Sequence, residues 1–313
     1  MTRAPARYQD PFSPPSPATR LRARSADGVH LNIEIHGDRS APTVVLIHGW
    51  TCSIPFWAPV IRALSTDLRV VAYDQRGHGA SDVPGRGHYS VQALVDDLST
   101  VLDATLPEGE KAVLAGHSMG GMTIMAAGLS SRVMERTGGV LLTSTGFSEL
   151  AAGARIFPFA ARAPKLGAAF QRRLLHSSLP LGPVTPLARA ALKYGTLGPG
   201  VTKELASVNA AIVHACPRSS RAAWGRVLGT VELSAGVGRL EVPTEVLVGT
   251  ADRLTPPAHA RAIAQALPQC EGLTELPDIG HMTPLEAPAE VSHLIRARVA
   301  KAPHSTHSTG TPQ

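Results

Sequence analysis

Short runs of hydrophobic residues, many of them β-branched, recur along the chain between polar turns. Each run is apolar on successive residues instead of on alternate ones, which is typical of strands covered on both faces. The pattern therefore predicts a buried sheet that contains five such strands: Thr43–His48, Arg69–Asp74, Lys111–Ala115, Gly139–Thr143 and Thr244–Gly249.

Helical patterns lie between these strands. Residues 90–106 carry six hydrophobic side chains on one face, and Ser90 is a candidate N-cap. Residues 119–130 are small and apolar all round, as in a buried helix, and further helices are predicted at 257–267 and 288–299. Strands that alternate with helices predict the α/β class, with a mostly parallel central sheet flanked by helices.

The alternation stops between residues 147 and 240, where Ala-, Leu- and Arg-rich helical stretches are interrupted by prolines. Because the α/β pattern resumes afterwards, we expect a helical lid inserted between two strands. Such a lid would lie over the strand ends, where open α/β sheets bind ligands. The predicted organisation is a core of residues 21–146 and 241–301, a lid of 147–240, and disordered tails at 1–20 and 302–313.

The net charge of +6 raises the question of a nucleic-acid partner. The chain has no run of five basic residues, and aromatic residues are not interleaved with basic ones as nucleic-acid binding tends to require. We therefore predict a small-molecule substrate and no nucleic-acid partner. No apolar run is long enough for a signal peptide or a transmembrane segment, so a cytoplasmic location is expected.

Cofactor and metal motifs are absent from the sequence. Cys52, Cys216 and Cys270 are widely spaced and form no C-x-x-C pair, which argues against a zinc site or a disulfide framework. Zinc-protease, P-loop and dinucleotide-binding patterns are also missing. The sequence thus predicts a protein without metal or cofactor, whose three thiols are unpaired.

A candidate nucleophile lies in the sequence Gly116-His117-Ser118-Met119-Gly120, between a predicted strand and a predicted helix. A serine on a sharp strand-to-helix turn needs flanking glycines for space, and the turn presents its hydroxyl at the positive end of the helix. The bare G-x-S-x-G pattern is weak, with about 0.2 chance matches expected. Its position between strand and helix is what makes Ser118 the candidate.

A serine nucleophile needs a base and a carboxylate that orients the base. Asp252 directly follows the predicted strand Thr244–Gly249, and His281 follows a second short strand predicted at Leu273–Leu276. Both residues fall in loops at the C-terminal ends of strands, the same edge of the sheet as Ser118. These three residues therefore form a candidate set in the order Ser, Asp, His.

The chain resembles the α/β-hydrolase fold superfamily over residues 22–301. The resemblance rests on His48-Gly49-Trp50, on the Asp74–Asp82 loop, on the Gly-His-Ser-Met-Gly-Gly turn and on the two later loops. It implies the α/β-hydrolase fold and a catalytic triad. It also implies an oxyanion hole and a substrate-binding site. The residues so assigned are Ser118, Asp252 and His281 for the triad, the backbone N–H groups of Trp50 and Met119 for the oxyanion hole, and Trp50, Phe147 and Met282 for the substrate.

Other candidates for acid and base are weaker. In the family that the chain resembles, histidines placed like His48, His78 and His117 usually brace loops. Asp74 and Asp82 are interpreted as structural hydrogen-bonding groups. Asp278 is only three residues from His281, too near in a loop to reach the imidazole Nδ1 correctly.

A serine nucleophile argues against the dehalogenase and epoxide hydrolase branches, which use an aspartate. Acyl transfer remains, and a carboxylesterase or lipase-like enzyme acting on a small to medium apolar substrate is the plainest interpretation. A carbon–carbon bond hydrolase, a cofactor-free perhydrolase and a non-catalytic ligand-binding protein stay open as alternatives. Seven lid residues could line an apolar acyl pocket or form ordinary lid core: Phe157, Phe159, Phe170, Leu174, Leu175, Leu179 and Trp224.

Overall fold

A central sheet of eight strands organises the computed structural model, which describes residues 12–148, 150 and 185–302. The strand order across the sheet is β1-β2-β4-β3-β5-β6-β7-β8. β1 pairs with β2 and β2 with β4 in antiparallel fashion, and every later pair is parallel. The bounds are β1 Thr19–Arg24, β2 His30–His36, β3 Thr43–Ile47, β4 Arg69–Tyr73, β5 Ala112–His117, β6 Thr137–Thr143, β7 Thr244–Gly249 and β8 Cys270–Leu276.

All five predicted strands are present, with ends that shift by up to two residues. β5 starts one residue later than predicted and runs on to His117, and β6 starts two residues earlier, at Thr137. Every residue of β3, β4, β5 and β6 is buried, because helices cover both faces of the sheet. The mostly parallel α/β architecture predicted from these runs is confirmed.

Helices pack on the two faces of this sheet. Consecutive residues Val44 and Val45 of β3 enter different apolar clusters, as alternation along a strand requires. One cluster includes the helices α2, α3 and α9, and the other includes α1, α6 and α11. The helix bounds are α1 Ala58–Leu64, α2 Val91–Thr105, α3 Met119–Ala127, α4 Ser131–Met134, α5 Pro186–Thr196, α6 Lys203–Ala215, α7 Arg218–Leu228, α8 Ser234–Val237, α9 Pro257–Ala266, α10 Thr283–Glu286 and α11 Pro288–Lys301.

The predicted helices form where their end signals lie. Ser90 caps α2, and its hydroxyl accepts a hydrogen bond of 3.1 Å from the Ala93 amide. α3 is buried along its whole length, in agreement with its uniformly apolar sequence.

In the part of the chain that the structure describes, no helix is both long and apolar enough to cross a membrane. The three cysteines are free thiols, as predicted.

The insertion between β6 and β7 is helical over its described part, residues 185–240, which contains α5 to α8. Six of the residues proposed for an acyl pocket, Phe157 to Leu179, lie outside the described residues. Trp224 of α7 is fully buried, and its Nε1 donates a hydrogen bond of 3.1 Å to the Arg76 carbonyl. This tryptophan therefore anchors the insertion to the core, which agrees with the interpretation as ordinary core packing.

The N-terminal boundary needs a correction of two residues. β1 begins at Thr19, so Thr19 and Arg20 belong to the sheet and not to the predicted tail of residues 1–20. They pair with Ile35 and Glu34 of β2, which supplies the partners that the isolated sequence does not reveal.

Candidate active site

Ser118 lies in the turn between β5 and α3, with the backbone angles φ +52° and ψ −115°. A positive φ is unfavourable for a residue with a side chain and costs about 1–3 kcal/mol, so the surrounding structure must enforce it. A Cβ atom on Gly120 would overlap the Ile47 carbonyl, and one on Gly116 would lie 2.6 Å from the Gly120 carbonyl carbon. The two glycines are thus required for α3 to pack this closely on the sheet, which holds Ser118 at the sheet edge.

Asp252 and His281 are joined by a hydrogen bond of 2.8 Å between Oδ2 and Nδ1. Both residues are buried, with exposed fractions of 3% and 5%. The other Asp252 oxygen accepts hydrogen bonds from the amides of Leu254 and Thr255, at 2.8 and 2.9 Å. A carboxylate held in this way keeps the proton on Nδ1 and leaves the Nε2 lone pair available as a base.

The loop of His281 also contacts His117, the residue before Ser118. His117 donates a hydrogen bond of 2.8 Å from Nε2 to the His281 carbonyl, and the centroids of the two imidazole rings lie 4.9 Å apart. The turn of Ser118 and the loop of His281 are therefore neighbours. A hydrogen bond between the Ser118 hydroxyl and His281 is not among those formed within the described residues, and in enzymes such bonds often tighten only when substrate is bound.

One predicted oxyanion-hole residue, Met119, directly follows Ser118 in the turn, and the other, Trp50, lies in a neighbouring loop. Met119 is the first residue of α3, so its N–H has no acceptor within the helix. A Cβ atom on Gly49 would lie 3.1 Å from the Ser118 Cβ, which puts the loop that carries Trp50 next to Ser118. Within residues 12–148 and 185–302, neither the Trp50 nor the Met119 amide donates to a protein acceptor. Both N–H groups are therefore free to donate to a ligand, and their role in an oxyanion hole stays a prediction.

Two of the motif histidines support the loop that carries Trp50. His48 Nε2 accepts a hydrogen bond of 2.9 Å from the Gln75 amide, and His78 Nε2 accepts one of 3.2 Å from the Thr51 amide. Burial lowers the pKa of His48 to about 3 and that of His78 to about 4. Both imidazoles are therefore neutral acceptors with fixed partners, the loop-bracing arrangement that the resemblance implied.

Two of the alternative carboxylates, those of Asp74 and Asp82, have structural partners. Asp74 is buried and accepts hydrogen bonds from the amides of Ile54 and Ala80, at 2.8 and 2.9 Å, while burial raises its pKa to about 6. Asp82 forms a surface ion pair of 2.6 Å with Arg22. The Asp278 amide donates to the Thr250 hydroxyl at 2.9 Å, and the hydrogen-bond partner of the His281 imidazole is Asp252 instead.

The proposed substrate-binding residues have different environments. Trp50 is half-buried, and its indole N–H donates a hydrogen bond of 3.1 Å to the Arg221 carbonyl of α7, which joins the loop that carries Trp50 to the insertion. Phe147 is half-buried against the core, whereas Met282 is buried in the cluster that contains Leu197 and Leu285. Their contact with substrate stays a prediction.

Thr255 is a site residue that the sequence reasoning missed. Its hydroxyl donates to Asp252 Oδ2 at 2.9 Å and lies 3.3 Å from His281 Nδ1. The only sequence signal is a hydroxyl residue three positions after the candidate acid, and such a position is common in loops. Only the folded loop shows that Thr255 fills the remaining hydrogen-bonding position at the carboxylate.

Comparison with known proteins decides the family. The model of the Alpha/beta hydrolase family matches residues 44–294, most of the chain. The chain belongs to this family. The sequence is 38% identical over 102 residues to 3-oxoadipate enol-lactonase 1 of Acinetobacter baylyi, and 36% identical over 124 residues to Epoxide hydrolase 4 of Homo sapiens. These two matches cover 33% and 38% of the chain, and 37% and 34% of the relatives, so the chain spans about a third of their length.

The solved structures agree on the fold of this alpha/beta hydrolase. A thermophilic esterase from Thermogutta terrifontis superimposes with a TM-score of 0.69 at 26% identity, and the match covers 91% of this chain and 99% of the esterase. The fold is therefore shared over about nine-tenths of this chain.

Proposed function

We propose that this alpha/beta hydrolase cleaves a carboxylic ester of a small to medium apolar substrate through a covalent acyl-enzyme. The observation that carries the proposal is the buried hydrogen bond of 2.8 Å between His281 and Asp252, in a loop that contacts the strained turn of Ser118. The arrangement supplies a nucleophile, a base and a group that orients the base, which is the set that acyl transfer from a serine requires.

The steps follow from this geometry. Ser118 Oγ attacks the ester carbonyl carbon while His281 Nε2 takes the serine proton. The N–H groups of Trp50 and Met119 receive the developing oxyanion, and each donor of this kind contributes about 3–4 kcal/mol to transition-state stabilisation. His281 then gives its proton to the departing alcohol. Water, activated by the same imidazole, releases the acid and restores Ser118, while Asp252 stabilises the imidazolium in both halves of the reaction.

The relatives support ester chemistry. One solved neighbour is an esterase, and one curated relative is an enol-lactonase, whose substrate class is a cyclic ester. Another relative is an epoxide hydrolase. Epoxide opening in this fold uses an aspartate nucleophile that forms an alkyl ester. Since a serine occupies the turn here, acyl transfer is favoured over epoxide opening.

The experiment is a panel of chromogenic esters that varies acyl length and alcohol size, assayed with the native chain and with Ser118→Ala. We expect turnover of short- to medium-chain esters that is lost in Ser118→Ala and kept in Ser131→Ala, an exposed serine at the start of α4. A serine-directed phosphonate should label Ser118 alone. Absence of turnover with every ester, thioester and lactone would overturn the proposal, and ligand binding without turnover would favour the non-catalytic alternative.

A further inference from the structure

The carboxylate of Glu286 binds the backbone on both sides of His281. Glu286 is the last residue of α10, five positions after the proposed base. Its Oε2 accepts a hydrogen bond of 3.1 Å from the Gly280 amide, and its Oε1 accepts one of 3.1 Å from the Met282 amide. One side chain therefore binds the N–H groups of the two residues that flank His281.

The same carboxylate reaches the insertion. Glu286 Oε2 accepts a third hydrogen bond, of 2.7 Å, from the amide of Gly198, in the segment Thr196–Gly198 that leaves α5. Close backbone contact reinforces this link, because a Cβ atom on Gly280 would overlap the backbone of Leu197. The segment and the His281 loop thus lie against each other, with Glu286 as their shared acceptor.

Two further bonds complete the fixation of the His281 backbone. The His281 amide donates to the Thr196 carbonyl at 2.9 Å, so the insertion also holds the base directly. The His281 carbonyl accepts a bond of 2.8 Å from His117, the residue before the nucleophile. The backbone of the base is therefore held from the serine turn on one side and from the insertion on the other.

Glu286 is largely buried, and burial raises its pKa, while the bonds from Gly198, Gly280 and Met282 act in the opposite direction. Hydrogen bonds from N–H groups to a carboxylate are shorter and stronger than those between neutral groups. A glutamine of the same shape offers one acceptor oxygen in place of two. Its NH₂ group would have to face either Met282 or the pair Gly198 and Gly280, all of which are donors.

We propose that Glu286 is a positioning residue that couples the Thr196–Gly198 segment of the insertion to the His281 loop and so fixes the imidazole relative to Ser118. The role of His281 as the base rests on the proposed function above. Displacement of a catalytic group by 1 Å can lower a rate by about 10²-fold. We therefore expect loss of Glu286 to lower kcat more than it changes KM.

The first test measures ester hydrolysis by Glu286→Gln and Glu286→Ala, with Glu290→Gln as the matched control. Glu290 is an exposed carboxylate in the first turn of α11. We expect kcat to fall on the order of 10²-fold in Glu286→Ala and by a smaller factor in Glu286→Gln, with KM little changed and with Glu290→Gln equal to the native protein. Rates are normalised to sites titrated with the phosphonate. Native kcat per titrated site in Glu286→Gln would show a packing role only and overturn the proposal.

The second test does not depend on any substrate. Proton NMR of the native chain labelled with ¹⁵N-histidine should show a downfield Nδ1–H resonance from the His281–Asp252 bond, assigned by its loss in His281→Gln. We expect broadening or loss of this resonance in Glu286→Gln and its retention in Glu290→Gln. If Glu286→Gln leaves the resonance unchanged, the positioning role is wrong. If the resonance depends on Glu286 but no ester is hydrolysed, the positioning role stands and the proposed function fails.

Discussion

At the scale of single residues, the proposed base His281 is oriented by the groups around it. The Asp252 carboxylate accepts hydrogen bonds from two amides, from one hydroxyl group and from the imidazole of His281. These four bonds fix its orientation. The sequence could predict Asp252 and His281 because both follow strands at one edge of a parallel sheet. It could not predict Thr255 or Glu286, because their roles depend on hydrogen bonds to atoms brought close only by folding.

The assignment of the acid can be tested by Asp252→Asn. We expect kcat for ester hydrolysis to fall on the order of 10⁴-fold, because the amide can stabilise the wrong imidazole tautomer and cannot stabilise the imidazolium. Asp278→Asn is the matched control. It removes the other aspartate of this region, at a position with φ +58° that asparagine tolerates. A comparable loss in Asp278→Asn, with native activity in Asp252→Asn, would reverse the assignment.

At the scale of elements, the sequence pattern indicates fully buried strands more readily than half-exposed ones. Continuous apolar runs indicate β3 to β7, where burial on both faces leaves polar residues only at or near the strand ends. β1 and β2 were not predicted, although Leu31, Ile33 and Ile35 alternate with partly exposed or exposed residues along β2. This antiparallel edge pair buries one face, and its period-2 signal is short. The partners of the strands, and therefore the order of the sheet, depend on contacts distant in sequence.

The junction of β5, α3 and β3 offers a test at this scale. In Gly120→Ala the new methyl group would meet the Ile47 carbonyl, so α3 must move away from the sheet. We expect the free energy of unfolding to fall by about 1–3 kcal/mol, together with a loss of ester turnover as Ser118 is displaced. Chemical denaturation and the ester assay measure the two effects. Gly87→Ala is the control, since an added Cβ there meets nothing within 4 Å. Native stability and turnover in Gly120→Ala would contradict the close packing.

At the scale of the whole molecule, the groups that support the site also set the response of the fold to pH. His48, His78 and His117 are buried, and burial lowers the pKa of each imidazole far below its usual value near 6.5. On unfolding they take up protons at any pH below that value. The unfolded state therefore binds more protons than the folded state, and stability falls as pH falls.

The titration of Asp74 changes the stability of the fold in the opposite direction. Burial raises its pKa to about 6, so between about pH 6 and pH 4 the folded state holds a proton that the unfolded state has lost. Protonation of Asp74 therefore stabilises the fold as the pH falls. From pH 7 to pH 5 this contributes about 1 kcal/mol, against about 2 kcal/mol lost for each buried histidine. Asp97, Glu245 and Glu286 act in the same direction as Asp74, because burial raises the pKa of each carboxyl group. These carboxyl groups together offset part of the stability lost through the three histidines.

We therefore expect the free energy of unfolding to fall between about pH 7 and pH 5, as measured by urea denaturation at a series of pH values. The pKa values of Asp67, Asp82 and Glu271 are lowered in the folded state, and they affect stability only below this pH range. Above about pH 5 these carboxyl groups are ionised in both the folded and the unfolded state. His78→Gln should make the slope shallower by the share of one histidine, whereas His293→Gln, at an exposed position of α11, should leave it unchanged. A free energy of unfolding that stays constant from pH 7 to pH 5 would mean that these imidazoles take up protons in the folded state. The loop that carries Trp50 would then lose the neutral acceptors that hold it beside Ser118.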